Sequence, residues 1–183
     1  MSYLRSLEPD VGLLQIFQAF PEIARPLLQY HEALLRGESP FSPGERELIA
    51  AYVSGLNNCH YCHAVHSQTA VALGIAANTI AAMLSNSQCE YVGPRIRPVL
   101  AFVRKLTVSP ATVTAADADA IFEAGWTDRA LHDAAAICGL FNLMNRLVDG
   151  LGIEASEAYT KIAAQRLAEQ GYAQLADLLP QPK

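Results

Sequence analysis

The chain has 183 residues, 51% of them hydrophobic and only 17% charged, with a formal charge of −5 and a pI near 5.5. That length supports a single domain with a substantial buried core, and the acidic balance argues against nucleic-acid backbones and anionic membranes as partners. No apolar run approaches the roughly 20 residues that span a bilayer, and so low a charge content predicts surface hidden in a homo-oligomer.

Met1-Ser2-Tyr3-Leu4-Arg5 has neither the n-region nor the h-region of a secretory signal, so a reducing cytoplasm is the expected compartment. Strand signals are nearly absent and Ala is abundant. Helical runs separated by Pro, Gly and capping residues predict an all-α fold. The helices expected in chain order cover 10–20, 22–36, 43–56, 59–73, 76–85, 95–107, 115–124, 128–150 and 154–178. Ser42-Pro43-Gly44-Glu45 is a capping box with Pro at the first helical position, and Thr114-Ala115-Ala116-Asp117 is a weaker version. From Leu178 to Lys183 the sequence reads as a frayed tail. The segments 43–56 and 128–147 are apolar almost all round, which marks both as buried. Ser42-to-Asn57 also aligns with Thr127-to-Asn142 without gaps, a hint of a duplicated helical unit whose first copy alone carries paired cysteines.

The most informative stretch is Cys59-His60-Tyr61-Cys62, preceded by Asn57-Asn58 and followed by His66. In a chain without secretory features a C-x-x-C pair reads first as a redox dithiol. Asn57 or Asn58 is placed to cap the helix that follows, and Gly74 to stop it. Cys59, Cys62 and His66 then share one helical stripe within roughly 60° of arc. Residues three apart are roughly 5–6 Å apart at Cβ, so the two sulfurs can close a disulfide with modest adjustment. His66, one turn beyond Cys62, is placed to exchange a proton with it directly or through water. The helix dipole favours thiolate at Cys59, whereas His66 serves Cys62, so these residues alone leave the attacking sulfur open.

Glu47 lies opposite the bulky face of its helix, on a side made of Ala50, Ala51 and Ser54. Small residues admit a close neighbouring helix, so this carboxylate either meets His66 or stays an exposed first-turn Glu on the helix dipole. Glu45 reads as structural. His63 lies at the edge of the cysteine stripe, and His60 points away from it. Cys138, inside an apolar run, reads as core packing, and Cys89 has no assigned role. Asn142, Asn145 and Arg146 interrupt an apolar helix, either to satisfy buried polar groups or to make an oligomer contact. Two other chemistries fit the same residues. One is thiol–disulfide exchange or redox sensing. The other is a metal site of Cys59, Cys62, His66 and Glu47 or His63, although dedicated zinc sites usually draw a second ligand pair from a distant loop.

Glu45-Arg46-Glu47-Leu48-Ile49-Ala50, then Val53-Ser54-Gly55-Leu56-Asn57-Asn58-Cys59-His60-Tyr61-Cys62 and His66, closely resembles the AhpD-like alkylhydroperoxidases. Within the carboxymuconolactone decarboxylase-like superfamily, the chain is most similar to their peroxidase-related branch. Phe141-Asn142-Leu143-Met144-Asn145-Arg146-Leu147 and Gly150-Leu151-Gly152 share that likeness, which spans roughly 20–155. The resemblance implies one AhpD-like domain, all helical, with a duplicated unit and a trimeric or hexameric assembly. It implies Cys62 as the peroxide-attacking cysteine, Cys59 as the resolving one, and Glu47 and His66 as a proton relay. It implies a hydroperoxide substrate, a lipoyl-bearing or thioredoxin-like dithiol as reductant, and no need of metal or flavin. The superfamily's decarboxylase chemistry does not rely on a C-x-x-C pair. One departure stands out: well-studied members carry a histidine immediately before the second cysteine, where this chain has Tyr61. A phenol with a pKa near 10 is a poor base at neutral pH, which implies a weaker peroxidase.

Overall fold

Ser42 starts a long buried helix as its capping box requires. Its hydroxyl accepts from the Glu45 N–H at 3.2 Å, and the Glu45 carboxylate accepts from the Ser42 N–H at 2.8 Å. The computed structural model of the protein describes residues 2–8, 10–85, 91–154 and 156–181. Among these it is wholly helical, with no strand: α1 Leu13–Ala19, α2 Pro21–Leu35, α3 Pro43–Leu56, α4 His60–Ala72, α5 Ala77–Ser85, α6 Arg97–Val108, α7 Ala115–Glu123, α8 Asp128–Gly150, α9 Glu157–Gln170 and α10 Ala173–Asp177. No helix among the described residues is long and apolar enough to cross a membrane.

Helix α3 is the centre of the molecule. Residues Leu48 to Val53 along it are at most 2% exposed, and it packs against α4 on one side and α8 and α6 on others. The small side made of Ala50, Ala51 and Ser54 is fully buried, as a close helix approach needs. The segments paired by the internal alignment, α3 and α8, lie against one another. Their matched residues meet where the Asn57 amide donates to Asn142 Oδ1 at 3.1 Å.

Two expectations are corrected at the C-terminal end. The single helix expected over 154–178 is broken at Gly171, whose φ of +68° is a left-handed conformation that favours glycine. The break turns Tyr172 back into the core, where it is 3% exposed. Glu32 holds the start of α10, accepting from the Tyr172 N–H at 2.6 Å and the Ala173 N–H at 3.0 Å, as a carboxylate at a helix start should. The segment read as a frayed tail is docked as far as it is described. Leu179 is buried, Arg25 donates to the Ala176 and Pro180 carbonyls, and Gln18 donates to that of Leu178. Residues 182 and 183 and Cys89 lie outside the described residues.

Candidate active site

The α3–α4 turn differs from the expected cap. Asn57 ends α3, Asn58 takes the left-handed conformation at φ +58° that Asn tolerates, and Cys59 itself is the N-cap of α4. The Cys59 N–H donates to Ser54 O at 2.9 Å, which closes the reversal. The Asn57 side chain turns instead toward α8, donating also to Asn145 Oδ1 at 2.8 Å, and Asn145 donates to Ser54 Oγ at 3.0 Å. Asn142 and Asn145 thus satisfy polar groups of α3 within the chain. Gly55 lets α4 come close: a Cβ there would lie 3.1 Å from His63 Nδ1 and 2.6 Å from Leu84 Cδ1. The His63 ring is occupied in that contact, with Nδ1 2.9 Å from Ala51 O, and His60 is exposed.

Cys59 and Cys62 are both free thiols, 0% and 2% exposed, packed with Ile16, Val148 and Ile153. Their environments differ in one respect. Cys62 lines a cavity of about 240 Å³, and Cys59 lies behind it, outside the lining. The adjacent Cys59 sulfur and burial push the Cys62 thiol well above the ordinary range, against a smaller opposing effect of Asn145. Both effects favour the neutral thiol over the thiolate.

The carboxylate of Glu47 is fully buried and has three partners. The His66 Nδ1–H donates to Oε2 at 2.7 Å, and on Oε1 Arg36 Nη2 donates at 2.7 Å and the Tyr172 hydroxyl at 2.9 Å. Burial is the largest single influence and favours the protonated acid. The charges and hydrogen bonds of His66 and Arg36 together outweigh it and hold Glu47 below its usual value. Burial and the Glu47 charge raise the Tyr172 phenol well above 10, so it stays a donor. Arg36 also donates to Leu167 O at 3.0 Å and lies over the Tyr172 ring, 5.1 Å from its centroid.

Phe141 holds the His66 ring edge-on at 4.5 Å. With Nδ1 given to Glu47, Nε2 is the nitrogen left for the cavity, which His66 lines together with Cys62. Among the described residues no direct hydrogen bond joins His66 to Cys62. Tyr61 is beside Cys62 with its hydroxyl 3.4 Å from that of Tyr159, both on the cavity wall. Burial raises the Tyr61 phenol far above 10, so it keeps its proton.

The structure thus brings Glu47, His66, Cys62 and Cys59 together and leaves His60 and His63 aside. Cys138 is core, 1% exposed and 3.2 Å from Thr107 Oγ1. Among the described residues no group of three or more His, Cys, Asp or Glu side chains could hold a metal ion. Sequence reasoning missed Arg36 and Tyr172. The one signal for Tyr172 is Gly171, a glycine inside an otherwise helical pattern.

Residues 21–105 match the family model described as the carboxymuconolactone decarboxylase family. Among curated proteins, none matches the chain. Among solved structures, an uncharacterized peroxidase-related protein from Silicibacter sp. TM1040 superposes with a TM-score of 0.74 at 24% identity, covering 87% of this chain and 94% of that one. A second, described as an alkylhydroperoxidase AhpD core and uncharacterized peroxidase-related protein from Ralstonia eutropha JMP134, gives 0.70 at 28% identity, covering 81% and 78%. The debrominase Bmp8 gives 0.69 at 20% identity, covering 82% and 81%, and at that distance shares the fold alone.

Proposed function

We propose that this chain, an AhpD-like protein, is a thiol-dependent peroxidase that reduces hydroperoxides through Cys62 and Cys59. The observation that carries the reading is the arrangement on one cavity: Cys62 and His66 both line it, Glu47 holds His66 at 2.7 Å from behind, and Cys59 is buried beside Cys62 away from the opening.

The sequence of steps follows from those positions. A water between Cys62 and His66 carries the thiol proton to Nε2, and Glu47 stabilises the imidazolium through Nδ1–H. The Cys62 thiolate attacks the distal oxygen of the hydroperoxide. The O–O bond breaks, the thiolate is oxidised to a sulfenic acid, and the departing alkoxide takes the proton from His66 and leaves as the alcohol. Cys59 then displaces hydroxide from the sulfenic sulfur. Water is released and a Cys59–Cys62 disulfide forms. An external dithiol, lipoyl-bearing or thioredoxin-like, reduces that disulfide by exchange and leaves oxidised itself. Tyr61 contributes a donated hydrogen bond and no base, so the relay rests on His66 alone.

The test is peroxide consumption by the reduced protein, with mass spectrometry to locate the cross-link. Cys62→Ser should consume none. Cys59→Ser should stop after one equivalent with a sulfenic acid on Cys62 that dimedone traps. Turnover retained in Cys62→Ser would remove the proposed nucleophile. Turnover of a disulfide substrate without any of peroxide would mean thiol–disulfide exchange instead.

A further inference from the structure

We propose that the cavity binds an amphipathic substrate, an apolar hydroperoxide bearing a carboxylate, with Arg166 holding the carboxylate at the mouth. The identity of the reacting group rests on the peroxidase reading above, whereas the anion site rests on the cavity itself.

The walls of the cavity are apolar, with Leu13, Phe17, Leu28, Val65, Met144 and Leu167 among them. No Asp or Glu side chain lines it. Of its polar residues, Cys62 and His66 are 2% and 8% exposed, His31 and Tyr172 are also buried, and Tyr61 and Tyr159 are half-buried. Arg166 and Gln15 line the same cavity yet are exposed, as is Ile162 at 66%, so these three mark the mouth. The direction from mouth to floor is also readable along α9. Tyr159 meets Tyr61 beside Cys62, and Arg166 is seven residues further on, two turns along the same stripe, a rise of about 10 Å.

Arg166 is exposed and free to take a partner, as Arg5 and Arg104 also are. Among the described residues it has no ion pair, no hydrogen bond and no ring beneath it. It is the one permanently charged side chain on the cavity lining. Gln15 adds a second donor at the mouth, because its Oε1 is taken by the Gly12 N–H at 3.1 Å and its NH₂ remains. A guanidinium and an amide N–H at one end of an apolar channel recognise a planar anion such as a carboxylate, and the apolar walls recognise the alkyl or aryl body behind it. A ligand held this way presents its far end to Cys62.

The experiment separates the anion site from the redox chemistry by using ligands that do not react. Octanoate and 1-octanol are titrated calorimetrically into the full-length reduced protein at low ionic strength. Octanoate should bind about two- to fivefold more tightly than 1-octanol, an exposed charge pair being worth that much, and the advantage should shrink as salt is added. Arg166→Gln, an exposed substitution, should remove the advantage and leave 1-octanol binding as it was. Equal affinities in the unmodified protein, or undiminished octanoate binding in Arg166→Gln, would overturn the proposal. Kinetics then supply the link to function: a fatty-acid hydroperoxide should show a higher kcat/KM than its methyl ester, and Arg166→Gln should level the two. The anion preference without turnover of any hydroperoxide would overturn the peroxidase reading and leave the anion site standing. Turnover with no preference for acid over ester would do the reverse.

Discussion

Acidification from pH 7 to pH 5 should destabilise the protein through one residue, His31. Its ring is 4% exposed on the inner face of α2, edge-on to Phe141 and 5.2 Å from the Tyr172 ring. Burial, the dominant effect, lowers its pKa from 6.5 to about 4. The bond from its Nδ1–H to Leu27 O and the charge of Glu47 oppose the shift, and the charge of His66 adds to it. The unfolded chain therefore takes up a proton on this side chain near pH 6.5, and the folded protein does so only near pH 4. Stability is present above 6.5, falls as the pH drops between the two values, and levels off below the lower one. The full difference is worth about 3 kcal/mol, of which about 2 kcal/mol is lost between pH 7 and pH 5. Urea unfolding at the two pH values measures it, with His31→Phe as the control because phenylalanine keeps an aromatic ring in the slot and does not titrate. The variant should lose about 2 kcal/mol less than the unmodified protein over that interval. Equal losses in the two proteins would refute the assignment, since Glu47 and the other carboxylates titrate in both.

Tyr172→Phe removes one of the two donors on Glu47 Oε1. It should cost about 1.5–3 kcal/mol by thermal or urea unfolding, the usual worth of a hydrogen bond to an ionised group. Because Glu47 then loses support for its charged form, the acid limb of the peroxide pH–rate profile should move to higher pH, a shift that loss of packing alone would not produce. Cys138→Ala should leave turnover unchanged and lower stability by about 1 kcal/mol, close to the loss of one buried methyl group. Sizing by light scattering should give a mass well above the 19.8 kDa of one chain, given how few charges it carries and how exposed Ile23 and Leu143 are, each above half. A monomer would contradict that expectation.

Much of the fold was legible because local chemistry and global packing agree. The Ser42 capping box, Pro43 and the unbroken apolar run after them specify α3 from its own residues. The stripe of Ala50, Ala51 and Ser54 announced where another helix would lie, whereas the facing of Glu47 toward His66 was decided only by the packing. What stayed hidden depends on residues far apart in the chain. Arg36 looks like any basic residue at a helix end until Glu47 is folded against it. Tyr172 is 125 residues from Glu47, and no periodicity links them. The Asn57-Asn58 pair misled for a related reason. A side chain suited to capping the next helix was drawn instead to Asn142 and Asn145, an option visible only once α8 is in place. The cavity was equally unreadable, because α1, α2, α4, α8, α9 and α10 each contribute only a few residues to its wall.

The 125 residues between Glu47 and Tyr172 set an order of events during synthesis. Chains emerge from the ribosome N-terminus first and fold as they appear. By the time Cys62 and His66 are made, neither the phenol that steadies Glu47 nor the α9 wall of the cavity exists. A nascent chain therefore carries its two thiols well before the cavity beside them is complete. Competence arrives late, as a property of the finished packing and not of the motif that first draws the eye.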